Sequence, residues 1–171
     1  LCAHIASLRA SLPFVHFFDG FRTSHETCNI RVIDEESLKQ FVPWEAVQRH
    51  RDRAINPNHP NLRGTAQSPD IYMQLVEAAN PTYASVPEIV DKVFEEMAPV
   101  FGRRYRLFEY YGAEDAEDVI VCMGSGANVV HETVNYLNAR GSKVGVLKVR
   151  LFRPWSVKHF LEVLPKTVKR V

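Results

Sequence analysis

The sequence has 171 residues, 46% of them hydrophobic and 24% charged, with Lys+Arg 21 against Asp+Glu 20. That is the composition of a folded globular chain of about one domain, which excludes a disordered one, and a net charge of +1 supplies no field to draw nucleic acid or an anionic membrane. The longest run free of Asp, Glu, Lys and Arg is Val119–His131, short of the roughly 18 apolar residues that a spanning helix needs. Leu1–Leu12 has no basic start followed by an apolar run, so it does not read as a signal peptide. Cys2, Cys28 and Cys122 form no CxxC pair, which excludes a zinc ribbon or a cysteine-held cluster built from this chain alone. They read as reduced, mostly buried thiols of an intracellular protein.

In chain order, Ile5, Leu8 and Leu12 recur at helical spacing. Pro13–Phe18 reads as a strand buried on both faces, ending at the Asp19-Gly20 turn, and Asn29–Ile33 as a second strand. Asp34 caps a short helix that puts Leu38, Phe41 and Val42 on one face. From Pro43 to Pro99 the chain holds seven of its ten prolines yet keeps well-marked helices. Ser68-Pro69-Asp70 starts one, with Ile71, Tyr72, Leu75, Val76 and Ala79 as its apolar stripe and Asn80-Pro81 as its stop. Ser85-x-x-Glu88 reads as a capping box for the next, which Pro99 and Gly102 end or kink.

Beyond residue 112 the pattern is βαβα. A strand at Val119–Met123 passes through Gly124-Ser125-Gly126 into a helix bearing Val129, Val130, Thr133, Val134 and Leu137. A strand at Val144–Val149 and a helix at Ser156–Leu164 follow, and Thr167–Val171 begins another strand. The expected division is therefore 1–42, a proline-rich helical connector over 43–112, and a parallel-sheet unit over 113–171. A buried parallel strand without evident neighbours, and an opening inside a helix, mark the chain as a segment of a longer protein.

Candidate chemistry is sparse. Gly124-Ser125-Gly126 lacks the third glycine of the dinucleotide fingerprint, since position 129 is valine, and reads as a tight βα turn. Ser24-His25-Glu26 holds the residue types of a hydrolytic triad, but adjacent residues cannot line up nucleophile, base and orienter. It reads as a polar turn that faces ligand if the strand before it ends at a ligand-collecting sheet edge. Arg49, Arg51 and Arg53, like Arg103, Arg104 and Arg106, sit beside acidic residues and read as salt-bridged surface or interdomain contact. His50, His59, His131 and His159 have no paired ligand spacing, so no metal-ligand set is read.

Phe17-Phe18-Asp19-Gly20-Phe21-Arg22-Thr23-Ser24-His25-Glu26 resembles a signature run of pyruvate:ferredoxin (flavodoxin) oxidoreductases. So do Arg63-Gly64-Thr65-Ala66-Gln67-Ser68-Pro69-Asp70-Ile71-Tyr72, Glu77-Ala78-Ala79-Asn80-Pro81, Met123-Gly124-Ser125 and Lys148-Val149-Arg150-Leu151-Phe152-Arg153-Pro154. The resemblance implies an α/β fold in three parts: the end of a transketolase-like pyrimidine-binding domain, a helical connector, and most of a transketolase C-terminal-like domain. It implies an enzyme, usually homodimeric, that converts pyruvate and CoA to acetyl-CoA and carbon dioxide and passes electrons to ferredoxin or flavodoxin. Thiamine diphosphate with Mg2+ and 4Fe–4S clusters are its implied cofactors, and the cytoplasm its implied location, or a hydrogenosome-like organelle in a eukaryote. No catalytic residue carries over onto this chain, which alone is expected to be inactive. Thr23, Ser24 and His25 stand where transketolases hold a Thr-His pair at the thiamine site, and are the candidate cofactor-binding residues. The alternative is a non-catalytic scaffold like that of some sulfite reductase flavoprotein subunits, and a fusion to an NADP-reductase-like half would share the same segment.

Overall fold

The computed structural model describes residues 1–61 and 66–171, with the backbone alone at Arg22. Arg63, Gly64 and Thr65 of the second signature run lie outside the described residues. In chain order the elements are α1 (Cys2–Ala10), α2 (Arg22–His25), α3 (Glu35–Lys39), α4 (Trp44–Asp52), α5 (Pro69–Ala78) and α6 (Asn80–Phe101). They continue with β1 (Phe108–Gly112), β2 (Asp118–Cys122), α7 (Gly126–Asn138), β3 (Val144–Val149) and α8 (Val157–Val163). No helix among the described residues is long and apolar enough to cross a membrane.

β3 is the middle strand of a three-stranded sheet in the order β1-β3-β2. β2 runs parallel to it from Asp118↔Val144 to Cys122↔Lys148, with α7 as the crossover. β1 runs antiparallel, from Phe108↔Val149 to Gly112↔Gly145. The expected parallel pair is present, but the sheet is mixed. Its extra strand is built from Phe108-Glu109-Tyr110-Tyr111, an aromatic run with high strand propensity placed before residue 113. Strand alternation sorts the faces. Phe108, Leu147, Val149 and Val119 join the main core, with Phe160 of α8 packed on it, whereas Tyr111 turns the other way onto His131 of α7. Arg170 forms a parallel bridge with Asp118, so the strand expected from Thr167 begins there, on the outer edge of β2.

The same core continues into the helices. Ala6 and Ala10 of α1 let its backbone approach Val86, Val90, Val93 and Met97 of α6, and Arg9 closes the contact on Glu96 at 2.6 Å. A single residue, Ala79, separates α5 from α6, so Asn80-Pro81 does not merely stop a helix. Proline is tolerated in a first turn, and the pair that ends α5 also opens α6. The expected capping box therefore falls inside the helix, where Ser85 Oγ donates to the Thr82 carbonyl and Glu88 pairs with Lys158 of α8 at 2.9 Å.

Two expected strands do not form. Pro13–Phe18 and Asn29–Ile33 have no ladder partner among the described residues, and Val15 is 84% and Ile30 77% exposed. A strand composed for burial on both faces is held by its neighbours, and without them its backbone stays unpaired. The stripe of α5 (Ile71, Tyr72, Leu75, Val76) is likewise exposed. The expected Asp34 cap is in place, its carboxylate accepting from the Ser37 amide at 2.8 Å. Cys28 is exposed and Cys2 and Cys122 are half-buried, so the thiols are free but less buried than composition suggested. Of the arginines read as salt-bridged surface, Arg104 lies against Asp91 and Glu95 of α6 at 3.9 and 3.8 Å, not against the acidic residues that follow it in sequence, and Arg53 donates to Ser11 Oγ at 3.1 Å.

Candidate functional site

The turn after Pro13–Phe18 is organised by Asp19. One carboxylate oxygen accepts from the Ser125 amide at 2.9 Å, and the other from the Ser125 hydroxyl and from Thr23 Oγ1, the latter at 2.8 Å. Ser125 stands at the N-terminus of α7, where unpaired amides favour an anion. The Gly124-Ser125-Gly126 turn thus carries an anion from its own chain, and the reading of a structural βα turn is correct in that sense. Gly124 has φ +76, and a Cβ there would stand 2.7 Å from Asp19 Oδ1, so the carboxylate needs glycine at this position.

These donors hold the Asp19 carboxyl well below the usual carboxylate range, the Ser125 hydroxyl first, then the Ser125 amide, then Thr23. A carboxyl whose folded pKa is depressed contributes stability that is full above its unfolded pKa of about 4 and is lost progressively as pH falls from there through the folded value, while in the folded protein it stays ionised until that value is reached. Lowering the pH from 7 to 4 should therefore leave the Asp19–Ser125 contact intact. An NMR titration of the Ser125 amide should stay flat across that range; a midpoint near 4 would refute the tie.

Thr23, Ser24 and His25 all lie on α2, which is exposed. Each polar side chain engages its own turn: Thr23 donates to Asp19, Ser24 Oγ donates to the Phe21 carbonyl at 3.1 Å, and His25 Nδ1 lies 2.5 Å from that same carbonyl. A carbonyl only accepts, so Nδ1 carries the proton there and Nε2 of the neutral ring is left as an acceptor.

A second polar cluster escaped sequence reasoning. Tyr111 stacks on His131 at 4.3 Å and donates to Glu109 at 2.6 Å. Lys148 lies 4.9 Å above the same ring and donates to Asn128 at 3.1 Å, and Arg150 pairs with Glu109 at 2.8 Å. The hydrogen bond to Glu109, then burial, raises the Tyr111 pKa, and burial raises that of the nearby Cys122 thiol, which stays protonated at neutral pH. Only Lys148 and Arg150 in the Lys148–Pro154 run hinted at it. These residues satisfy one another.

Among the described residues no three His, Cys, Asp or Glu side chains converge to hold a metal ion. With the α7 N-terminus occupied by Asp19, the described residues do not by themselves fit thiamine diphosphate and its metal. Comparison with known proteins supplies the context. Residues 1–95 match the family described as pyruvate flavodoxin/ferredoxin oxidoreductase, thiamine diphosphate-binding. The chain belongs to this oxidoreductase family. Residues 116–171 match core domain II of pyruvate:ferredoxin oxidoreductase. The whole chain is 59% identical to the pyruvate:ferredoxin oxidoreductase of Moorella thermoacetica and covers 15% of that protein. It is 53% identical, again over its whole length, to the mitochondrial pyruvate dehydrogenase [NADP(+)] of Euglena gracilis, covering 10% of it. Over 99% of its length it is 50% identical to the pyruvate-flavodoxin oxidoreductase of Klebsiella pneumoniae, covering 14%. The chain thus spans about one-seventh or less of these members of the pyruvate:ferredoxin and pyruvate:flavodoxin oxidoreductase family.

Proposed function

We propose that this chain is a segment of an enzyme that oxidatively decarboxylates pyruvate in the presence of CoA to acetyl-CoA and carbon dioxide, passing two electrons to ferredoxin or flavodoxin. The observation that carries the reading is the identity of 59% sustained from end to end with a relative of that name. The rest of the same polypeptide, and a second copy of it in a homodimer, complete the enzyme. The grip on the diphosphate and Mg2+ of thiamine diphosphate and the 4Fe–4S clusters belong to parts outside these residues, and the cytoplasm or a hydrogenosome-like organelle is its place. The division into 1–42, 43–112 and 113–171 belongs to the same proposal: 1–42 ends the pyrimidine-binding-like domain, 43–112 connects, and 113–171 is the transketolase C-terminal-like domain. The gap between the two family matches, residues 96–115, lends support to a division in that stretch, and the pairing of β1 with β3 attaches Phe108–Gly112 to the sheet of the last part.

Within this segment, Thr23, Ser24 and His25 are the residues proposed to face the cofactor, with His25 Nε2 as the outward acceptor. His25→Ala in the full-length enzyme should then lower turnover per folded molecule about ten- to a hundredfold, since one hydrogen bond is worth roughly 1–3 kcal/mol. Thermal midpoint and turnover measured on the same preparation decide it. Unchanged turnover at a lowered midpoint would mean that the imidazole only ties its own turn to the Phe21 carbonyl.

A further inference from the structure

Apart from Phe14, which packs against the main core, residues 13–33 are poorly anchored for a stretch that carries a signature run. Neither Pro13–Phe18 nor Asn29–Ile33 joins a ladder, and α2 is a single turn. Among the described residues, the hydrogen bonds that reach out of this stretch are those from Ser125 to Asp19. They cross 106 positions of sequence and join the first family region to the second. Thr23 loads the same carboxylate from the α2 side, so a shift of either partner is felt by the other. Gly124, whose missing Cβ makes room for Oδ1, is the shape that lets the carboxylate in.

We infer that Asp19 is a positioning residue, a pin that sets the Thr23–His25 turn against the N-terminus of α7. A carboxylate bonded to an amide and two hydroxyls is a strong, directional tie even at a surface. Asparagine can imitate it, because its oxygen still accepts from the Ser125 amide while its NH2 group donates to the Ser125 and Thr23 hydroxyl oxygens. Alanine cannot. Gly124→Ala leaves every donor and the charge in place; its Cβ crowds Oδ1, and the left-handed φ of +76 adds backbone strain at the same turn, so Ser125→Ala is read beside it.

The test uses the full-length enzyme with Asp19→Ala, Asp19→Asn, Gly124→Ala and Ser125→Ala, read by amide exchange in peptides covering residues 20–26 and 124–130. Asp19→Ala and Gly124→Ala should each speed exchange in both peptides about tenfold or more, and Asp19→Asn by much less. Ser125→Ala, the mildest change, should speed exchange at residues 20–26 a few-fold although it lies in the other region. Wild-type exchange at 20–26 in Gly124→Ala and Ser125→Ala would overturn the pin, and it would do so even if Asp19→Ala failed to fold. Pyruvate turnover is the second readout and rests on the function proposed above. Loss in Asp19→Ala with recovery in Asp19→Asn supports positioning. Exchange that rises in both peptides while turnover holds keeps the pin and removes the role given to the turn, so the two failures are distinguishable.

Discussion

Phe108→Ala should lower the unfolding free energy of the chain by about 3–5 kcal/mol, the range for deleting a large ring from a packed core. Phe108 is 1% exposed and sits where three parts of the core meet. Its ring is edge-on to Trp155 at 4.8 Å and to Phe160 at 5.7 Å, so one substitution removes two favourable aromatic contacts as well as buried area. The void cannot be filled by β1, which is held in register by its ladder with β3. Phe152, 43% exposed and in contact with the Arg153 guanidinium, is the matched control and should lose less than about 1 kcal/mol on truncation. Urea unfolding of both variants checks the pair. A cost at Phe108 no greater than at Phe152 would mean that α8 does not seal this end of the sheet.

Gly112→Ala is the second change with a large expected cost, at about 3 kcal/mol or more. The residue has φ +138, and a Cβ would lie 2.5 Å from the Val144 carbonyl oxygen and 2.6 Å from the Gly145 Cα. Both obstacles are backbone atoms of the neighbouring strand, so relief requires β1 and β3 to part at that end. Gly145→Ala is the informative comparison. Its obstacle is the Tyr110 ring on the same face, a side chain that a second substitution can remove. Tyr110→Ala should therefore recover part of the Gly145→Ala loss and little of the Gly112→Ala loss, where the Tyr110 hydroxyl at 3.2 Å is only the loosest of three contacts. Equal rescue of both in a double-mutant cycle would contradict the contact geometry.

Helices with an unambiguous start were legible in the sequence: Asp34 caps α3, Ser68-Pro69 opens α5 and Ser156 caps α8. The β2–α7–β3 unit was legible too, because turn glycines and a buried β-branched run fall at the spacing of a crossover. What escaped depends on partners. Pro13–Phe18 has the composition of an interior strand, but composition cannot say whether a neighbouring strand is within reach. β1 was hidden because its aromatic residues alternate between two covered faces, Tyr110 over Gly145 and Tyr111 on His131. The sequence around Asp19 reads as a polar turn, ligand-facing only if the strand before it joins a sheet. That the carboxylate binds a serine 106 residues away is a fact of tertiary placement with no local signal.

The packing of α6 has a consequence for exchanging parts between members of this family. Val86, Val90, Val93 and Met97 line one face of that helix, and the cluster they belong to runs on through Leu107 and Phe108 to Leu147, Val149 and Leu151. The first family region stops at residue 95, in the middle of this surface. A chimera cut there would pair half of a helix with a foreign complement of side chains, although the sequence on each side of the cut would still match its own family pattern. The unit that can be transplanted is therefore larger than the unit that can be aligned: α6 travels with α1 on one side and with the sheet on the other, and recombination between relatives is tolerated only where all three are taken from one parent.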